Sequence, residues 1–258
     1  MRSSTCTSAL LIFAWSTGLL SSDASAFRSI VVPLETPTST RLGALSEPAN
    51  SRFGRQDYWN EFYEKEANFS WYAGWDELEP FVREFVSEDM HVLVPGVGND
   101  ATLVDMYDAG YSYLTAMDYA PEGIERCREM LGEQRSVSLC VADARNLQDV
   151  FDNEAFGAVL EKGTLDAIFL SGGQEKTKSL EHLEMAIDEL GRCVKPGGIW
   201  ISIAAVVVDQ IQASFDGREE WEPIVRKDDL FITEDGYTSN NIDGTLLVWK
   251  KRVQGCTG

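Results

Sequence analysis

A chain of 258 residues accommodates one α/β domain of ordinary size with an extension, and leaves too little for two. Its 22 Lys and Arg stand against 42 Asp and Glu, a formal net charge of -20, which repels phosphate backbones and argues against nucleic acid as a partner. The same field favours a basic protein or a small cationic substrate, or simply confers solubility.

The first 26 residues read as a cleavable signal outside the fold: Arg2 precedes an apolar run, Ala9–Leu20, broken only by Ser16, Thr17 and Gly18, and Ala24-Ser25-Ala26 has the small-x-small pattern of a signal peptidase site. The run is far shorter than the roughly 20 residues a helix needs to cross a bilayer. No later stretch approaches that length without a charge, so no membrane span is expected in the mature protein. From Phe27 to Ser46 the only acid is Glu35, amid Ser, Thr, Pro, Arg28 and Arg41, the composition of an organelle transit segment. A signal and a transit segment in series, with Phe27 directly after the cleavage site, resemble the bipartite leader of algae with complex plastids; ordinary secretion is the alternative. The expected organisation is a signal over 1–26, a transit-like segment over 27–54 that is disordered or removed, and a catalytic domain over 55–258.

Within that domain, YWNEFYEKEANF places aromatic residues at helical spacing from Tyr58 to Phe69. Pro80 is expected near the start of a helix whose apolar face includes Phe81, Phe85 and Val86. The run HVLVP over 91–95 reads as a short buried parallel strand. Helix and strand then alternate: a helix over 100–109, a strand over 113–117, a helix opened by Pro121 and running to Leu131, strands over 137–141 and 156–160, a helix from Lys176 to Cys193, and a strand over 199–205 after Lys195-Pro196-Gly197-Gly198. Such alternation implies right-handed crossovers and an open sheet covered on both faces. The tail reads as two strands, 221–232 and 244–250, around the polar turn DGYTSNNIDG, a hairpin that joins the sheet edge only with antiparallel pairing. The fold class is thus α/β, a doubly wound, mostly parallel, seven-stranded Rossmann-like sheet with a C-terminal antiparallel hairpin.

In such a sheet ligands bind outside the carboxyl ends of the strands, so the loops there carry the chemistry. Gly96-Val97-Gly98-Asn99-Asp100 follows the first strand and lets backbone N–H groups and a helix N-terminus approach a ligand. With Ala101 it also satisfies G-x-G-x-x-A, so a nicotinamide or flavin enzyme stays open at this point. Asp118 ends YLTAMD twenty residues beyond Gly98, where a carboxylate accepts hydrogen bonds from both hydroxyls of an adenosine ribose. Asp143, in Val141-Ala142-Asp143-Ala144, suits the exocyclic amine of adenine, or caps a helix. Cys127, Cys140, Cys193 and Cys256 form no C-x-x-C pair and cluster with neither His91 nor His182, so neither a zinc site nor a disulfide framework is expected.

The run VLEKGTLDA over 159–167, together with PGVGND, MDY, ADA and KPGG, resembles one branch of the class I methyltransferases, the methyltransferase-like proteins that include the elongation factor 1A lysine methyltransferases. The resemblance extends from Tyr58 to Lys250, and LEKGTLDA is its most specific element. It implies S-adenosyl-L-methionine as cofactor, an opening aromatic helix folded over it, and contacts from Trp59, Tyr63 and Trp71. It further implies that Gly96 and Gly98 admit the aminoacyl part, that Asp118 holds the ribose with Tyr119 beside it, that Asp143 and Ala144 meet the adenine, and that Lys162 lines the methionine end. Aromatic faces suit a sulfonium, which they attract by about 0.5 to 2 kcal/mol when desolvated; core packing is their other reading. The family usually has Cys where this chain has Val97, and VLVPG is also similar to small-molecule thiol methyltransferases.

Methyl transfer from a sulfonium is an in-line displacement that asks mainly for positioning and desolvation. A lysine acceptor must arrive neutral, and Glu161, at the end of the fourth strand, is the candidate to orient it or take its proton; a salt bridge or helix cap is the competing role. A protein lysine, with a translation factor or another basic protein as partner, is the first expectation. A small-molecule methyltransferase and a nucleotide-binding protein without transferase activity are the alternatives.

Overall fold

The computed structural model describes residues 49–65, 70–228, 230, 232–233, 236–237 and 244–253. The signal expected over 1–26 and most of the transit-like segment lie outside these residues. The expected domain start at 55 falls inside the folded body, because Ala49–Gly54 form a 3-10 helix whose Phe53 carbonyl accepts from Trp59 Nε1 at 2.8 Å and whose Gly54 carbonyl accepts from the Tyr119 hydroxyl at 3.0 Å.

The chain continues through α1 (Gln56–Lys65), α2 (Trp75–Phe85), β1 (Val92–Pro95), α3 (Thr102–Asp108), β2 (Leu114–Asp118), α4 (Pro121–Leu131) and β3 (Ser138–Val141). Then come β4 (Phe156–Lys162), α5 (Thr164–Leu170), α6 (Lys176–Cys193), β5 (Val194–Ala204), α7 (Val208–Asp216), β6 (Trp221–Lys227), β7 (Ile232–Thr233), β8 (Gly236–Tyr237) and β9 (Thr245–Lys251). The seven-stranded sheet has the order β3-β2-β1-β4-β5-β9-β6. Its first five strands pair in parallel, and β9 inserts antiparallel between β5 and β6. The doubly wound sheet with an antiparallel end is therefore as the sequence implies.

The period-two rule divides the core. In β5, Ile199, Ile201 and Ile203 join α2, α3 and α4 on one face, while Trp200 and Ala204 join α6 and α7 on the other. On the second face Phe215 of α7 stacks on Trp249 of β9 at 3.8 Å between ring centres. Lys251 of β9 reaches back to the end of α6, donating to the Gly191 and Val194 carbonyls at 2.8 Å each, and so supplies the cation that a helix C-terminus favours.

Four expectations about elements need correction. Pro80 lies inside α2 and not near its start, because the Gly74 N–H donates to the Glu77 carboxylate at 2.8 Å and begins the helix at Trp75. Helices α5 and α7 appear where none was expected; α7 carries Ile211 and Phe215 inward at helical spacing. Strand β5 begins at Val194, through the Pro-Gly-Gly turn, and not at 199. Strand β6 ends at Lys227, and a separate two-stranded ladder, β7 with β8, follows it.

Candidate active site

Strand order reverses between β1 and β4, which opens a crevice at their carboxyl ends. There Gly96 and Gly98 have φ of 66° and 54°, left-handed conformations that glycine adopts without strain. A Cβ at Gly98 would stand 2.8 Å from the Tyr63 hydroxyl. The loop borders an open cavity whose wall includes Tyr63, Trp71, Gly96, Gly98, Asp100 and Lys162.

Asp118 ends β2 beside this loop, almost fully buried. Its carboxylate accepts from the Gly98 and Ala120 N–H groups, each at 2.8 Å. Burial pushes its pKa up to about 6, against the opposing pull of those donors. Burial and the neighbouring Asp118 charge drive the Tyr63 hydroxyl well above its ordinary range. This corner thus holds a buried carboxylate with a tyrosine hydroxyl near it.

Helix α1 is laced across the same corner. Gln56 Nε2 donates to the Tyr119 carbonyl at 2.6 Å, the Glu122 N–H to Asn60 Oδ1 at 3.1 Å, and Arg126 Nε to the Tyr63 carbonyl at 3.2 Å. Trp59 stacks on Tyr63 at 5.8 Å and meets Trp71 edge-on at 6.3 Å. Of the three rings, Tyr63 and Trp71 line the cavity, and Trp59 packs against both from behind.

On the opposite side Lys162 ends β4. Its ammonium pairs with Asp100 and donates to the Trp71 carbonyl at 2.7 Å. The turn before α2 that carries Trp71 is strained: Tyr72 has φ of 67° and is buried. Its hydroxyl donates to Asp166 at 2.7 Å, and Asp166 also accepts from the N–H groups of Ala205, Val206 and Val207 at 2.9, 3.1 and 2.8 Å. One carboxylate at the start of α5 thereby joins the turn before α2 to the turn after β5.

The remaining candidate residues fall elsewhere. Tyr119 directs its hydroxyl to Gly54, and Ala144 is buried beside Asp143 at the end of β3. Both oxygens of Asp143 are engaged by Arg145, with contacts of 2.9 and 2.7 Å. Burial opposes ionisation of Asp143, but these bonds outweigh it and hold the carboxyl below its usual range. Glu161 projects from the other face of β4. It is fully buried, accepts from Ser202 Oγ and from the Thr164 and Leu165 N–H groups at 3.1 and 3.2 Å, and so caps α5. Its pKa is pushed up to about 8 by burial. The cap is the competing role that the sequence left open for it, and the alternation of β4 turns Glu161 away from the face that carries Leu160 and Lys162.

Sequence reasoning missed Asp100 and the Tyr72–Asp166 pair. Asp100 stood within the glycine loop already singled out, and Asp166 within LEKGTLDA, but their partners come from distant segments. His91 bonds Thr115 at 2.8 Å and His182 bonds Ser171 at 2.7 Å.

Residues 93–202 match the model of a methyltransferase domain. The chain is 31% identical over 163 residues to the eEF1A lysine and N-terminal methyltransferase homolog of Drosophila melanogaster, covering 62% of this chain and 24% of that protein. It is 30% identical over 180 residues to the eEF1A lysine and N-terminal methyltransferase of Homo sapiens, covering 67% and 25%. It thus spans about a quarter of the length of these curated relatives. The methyltransferase srdJ of Neurospora crassa is 29% identical over 191 residues, covering 69% of this chain and 78% of that one. Among solved structures, the N-methyltransferase NodS of Bradyrhizobium japonicum in complex with S-adenosyl-L-homocysteine superposes with a TM-score of 0.52 at 13% identity, covering 75% of this chain and 98% of that one. The [4+2]-cyclase SpnF superposes with 0.56 at 15% identity, covering 82% and 100%. Likenesses at that identity speak for the fold alone, which hosts more than one chemistry. With the glycine loop and the buried Asp118 in one crevice, and with the matched domain, the chain carries an S-adenosylmethionine-dependent methyltransferase domain of the class I fold, similar to part of the eEF1A lysine and N-terminal methyltransferases.

Proposed function

We propose that this protein transfers a methyl group from S-adenosylmethionine to a lysine side chain of a protein, with a translation factor as the first candidate. The observation that carries the cofactor half is the meeting of Gly98, Asp118 and Tyr63 at one corner of an open cavity. The lysine half is supported by the relatives' names and by the -20 net charge, which attracts a basic partner.

The cofactor supplies an activated methyl group on a positive sulfur. Asp118, held by the Gly98 and Ala120 N–H groups at the end of β2, would accept the ribose hydroxyls. Gly96 and Gly98 keep their side of the cavity bare so that the aminoacyl chain lies against backbone. Tyr63 and Trp71 would exclude water and present their rings to the sulfonium, with Trp59 packed behind Tyr63. Asp143 and Ala144 meet the adenine, with Arg145 yielding or sharing the Asp143 carboxylate. Tyr119 anchors the 3-10 helix beside the ribose corner. Glu161 receives no part in proton transfer in this mechanism; the acceptor amine enters neutral, having lost its proton to solvent.

The test is incubation of the purified protein with methyl-labelled cofactor and a cell extract, followed by peptide mass spectrometry. Label on lysine supports the proposal; label on a protein N-terminus or only in low-mass product replaces the acceptor; cofactor binding without any product would leave a nucleotide-binding protein. Residence in a complex plastid is proposed from the leader composition alone. A fluorescent fusion of residues 1–54 that stays in the secretory pathway of a suitable alga would overturn it.

A further inference from the structure

Lys162 brings a full positive charge to the wall of a cavity that, on the reading above, must accept a second positive charge, the sulfonium. The two side chains that form this part of the wall, Lys162 and Asp100, are only 10% and 11% exposed, so solvent screens them weakly. The three protons of the Lys162 ammonium are all committed: one to Asp100, one to the Trp71 carbonyl at 2.7 Å, one to Ser70 Oγ at 3.3 Å. Asp100 in turn accepts from Ser70 Oγ at 3.0 Å and from Thr102 N and Oγ1 at 2.8 and 2.7 Å. Lys162 is therefore held in place as a charge and is poorly arranged to grip a ligand by a new hydrogen bond.

We propose that Asp100 is the counter-charge that makes the cavity tolerant of a cationic ligand, so that the Asp100–Lys162 pair sets the preference between the charged methyl donor and its neutral thioether product. The inference rests on the reading of the cavity as the S-adenosylmethionine site. Lys162 and Asp100 both line the cavity, and two like charges about 10 Å apart at an effective dielectric of about 20 weaken binding by roughly tenfold. Asp100 cancels most of that repulsion because it sits against the Lys162 ammonium, inside any distance at which the sulfonium resolves the two charges. The methyl donor and S-adenosylhomocysteine differ at one methyl group and one charge, so the ratio of their dissociation constants isolates the effect.

The experiment is titration calorimetry of the full chain at pH 7.5 with each of the two compounds. In Asp100→Asn, Lys162 is unopposed, and the ratio of the Kd for S-adenosylmethionine to that for S-adenosylhomocysteine rises by at least about fivefold. In the double variant Asp100→Asn, Lys162→Met it returns to the wild-type ratio. In Lys162→Met alone, which leaves Asp100 unopposed, the ratio falls, and this variant decides the matter if Asp100→Asn does not fold. Equal losses for both compounds in Asp100→Asn, or an unchanged ratio in Lys162→Met, would show a purely structural pair and overturn the inference. Wild-type protein that binds neither compound overturns the cofactor reading together with the inference, and is told apart from failure of the inference alone by that very absence.

Discussion

The ring of Tyr63, on the helix that opens the domain, lies beside the carboxylate of Asp118 at the end of the second strand, and burial together with that charge raises the pKa of the Tyr63 hydroxyl. Three whole elements, α2, β1 and α3, separate the two residues in sequence, and the fold brings them together in space. Tyr63→Phe, which removes the hydroxyl and keeps the ring, is expected to leave S-adenosylmethionine affinity within a few-fold of wild type. Asp118→Asn is expected to lower affinity about 10- to 100-fold, the loss of two charge-assisted hydrogen bonds. The ionised form of Asp118 is the one that accepts from the ribose, and its pKa is raised to about 6. Affinity therefore rises with pH through about 6 and then levels off, and calorimetry between pH 5 and 8 checks the direction.

Gly98 is required by two independent constraints, its φ of 54° and the Tyr63 ring above it. Gly98→Ala is expected to reduce cofactor affinity by at least about tenfold, because the added methyl group either strains the loop or displaces Tyr63 and narrows the cavity. A thermal melt with and without S-adenosylhomocysteine measures it: the variant should retain a cooperative transition and lose the ligand-induced shift.

Glu161 predicts a pH effect on stability and none on turnover. Burial raises its pKa from 4.5 to about 8, so between these values the folded chain holds a proton that the unfolded chain has released. Stability from this group is fully present below pH 4.5 and falls by about 1.4 kcal/mol per unit as pH rises towards 8. Glu161→Gln removes the titration. Urea unfolding is expected to find the variant close to wild type at pH 5 and more stable than wild type at pH 9, with kcat little changed. A kcat lowered a hundredfold with cofactor affinity intact would restore a catalytic role to Glu161.

Tyr72 keeps a left-handed backbone because its ring is buried and its hydroxyl is bound to Asp166. Tyr72→Phe leaves the strain and removes the bond, with an expected cost of about 1.5 to 3 kcal/mol in urea unfolding, as for hydrogen bonds to charged groups. Asp166→Asn is expected to cost more, since the turn Ala205–Val207 loses its acceptor as well. If the two substitutions together cost no more than Asp166→Asn alone, they act through one interaction.

The glycine loop was legible because glycine at both positions answers to backbone geometry, which is a local property. Asp118 was legible from its distance beyond that loop at the end of an apolar run. Trp59, Tyr63 and Trp71 were reached through helical spacing and family resemblance. Glu161 shows where such reading fails: its place at a strand end was correct, but one residue along β4 turns a side chain to the opposite face, and the burial that raises its pKa also removes it from the cavity.

The amino-acid sequence by itself determined the alternating elements, the sheet class, the glycine-lined loop and the acid at the end of the second strand, since each depends on periodicity, backbone sterics or short spacing. Only the tertiary structure decided that Tyr63 meets Asp118, that Asp100 neutralises Lys162 and that Tyr72 is held by Asp166, because each pair joins segments far apart in the chain. Their energies come from desolvation and hydrogen-bond geometry, which exist only after the sheet has brought those segments together.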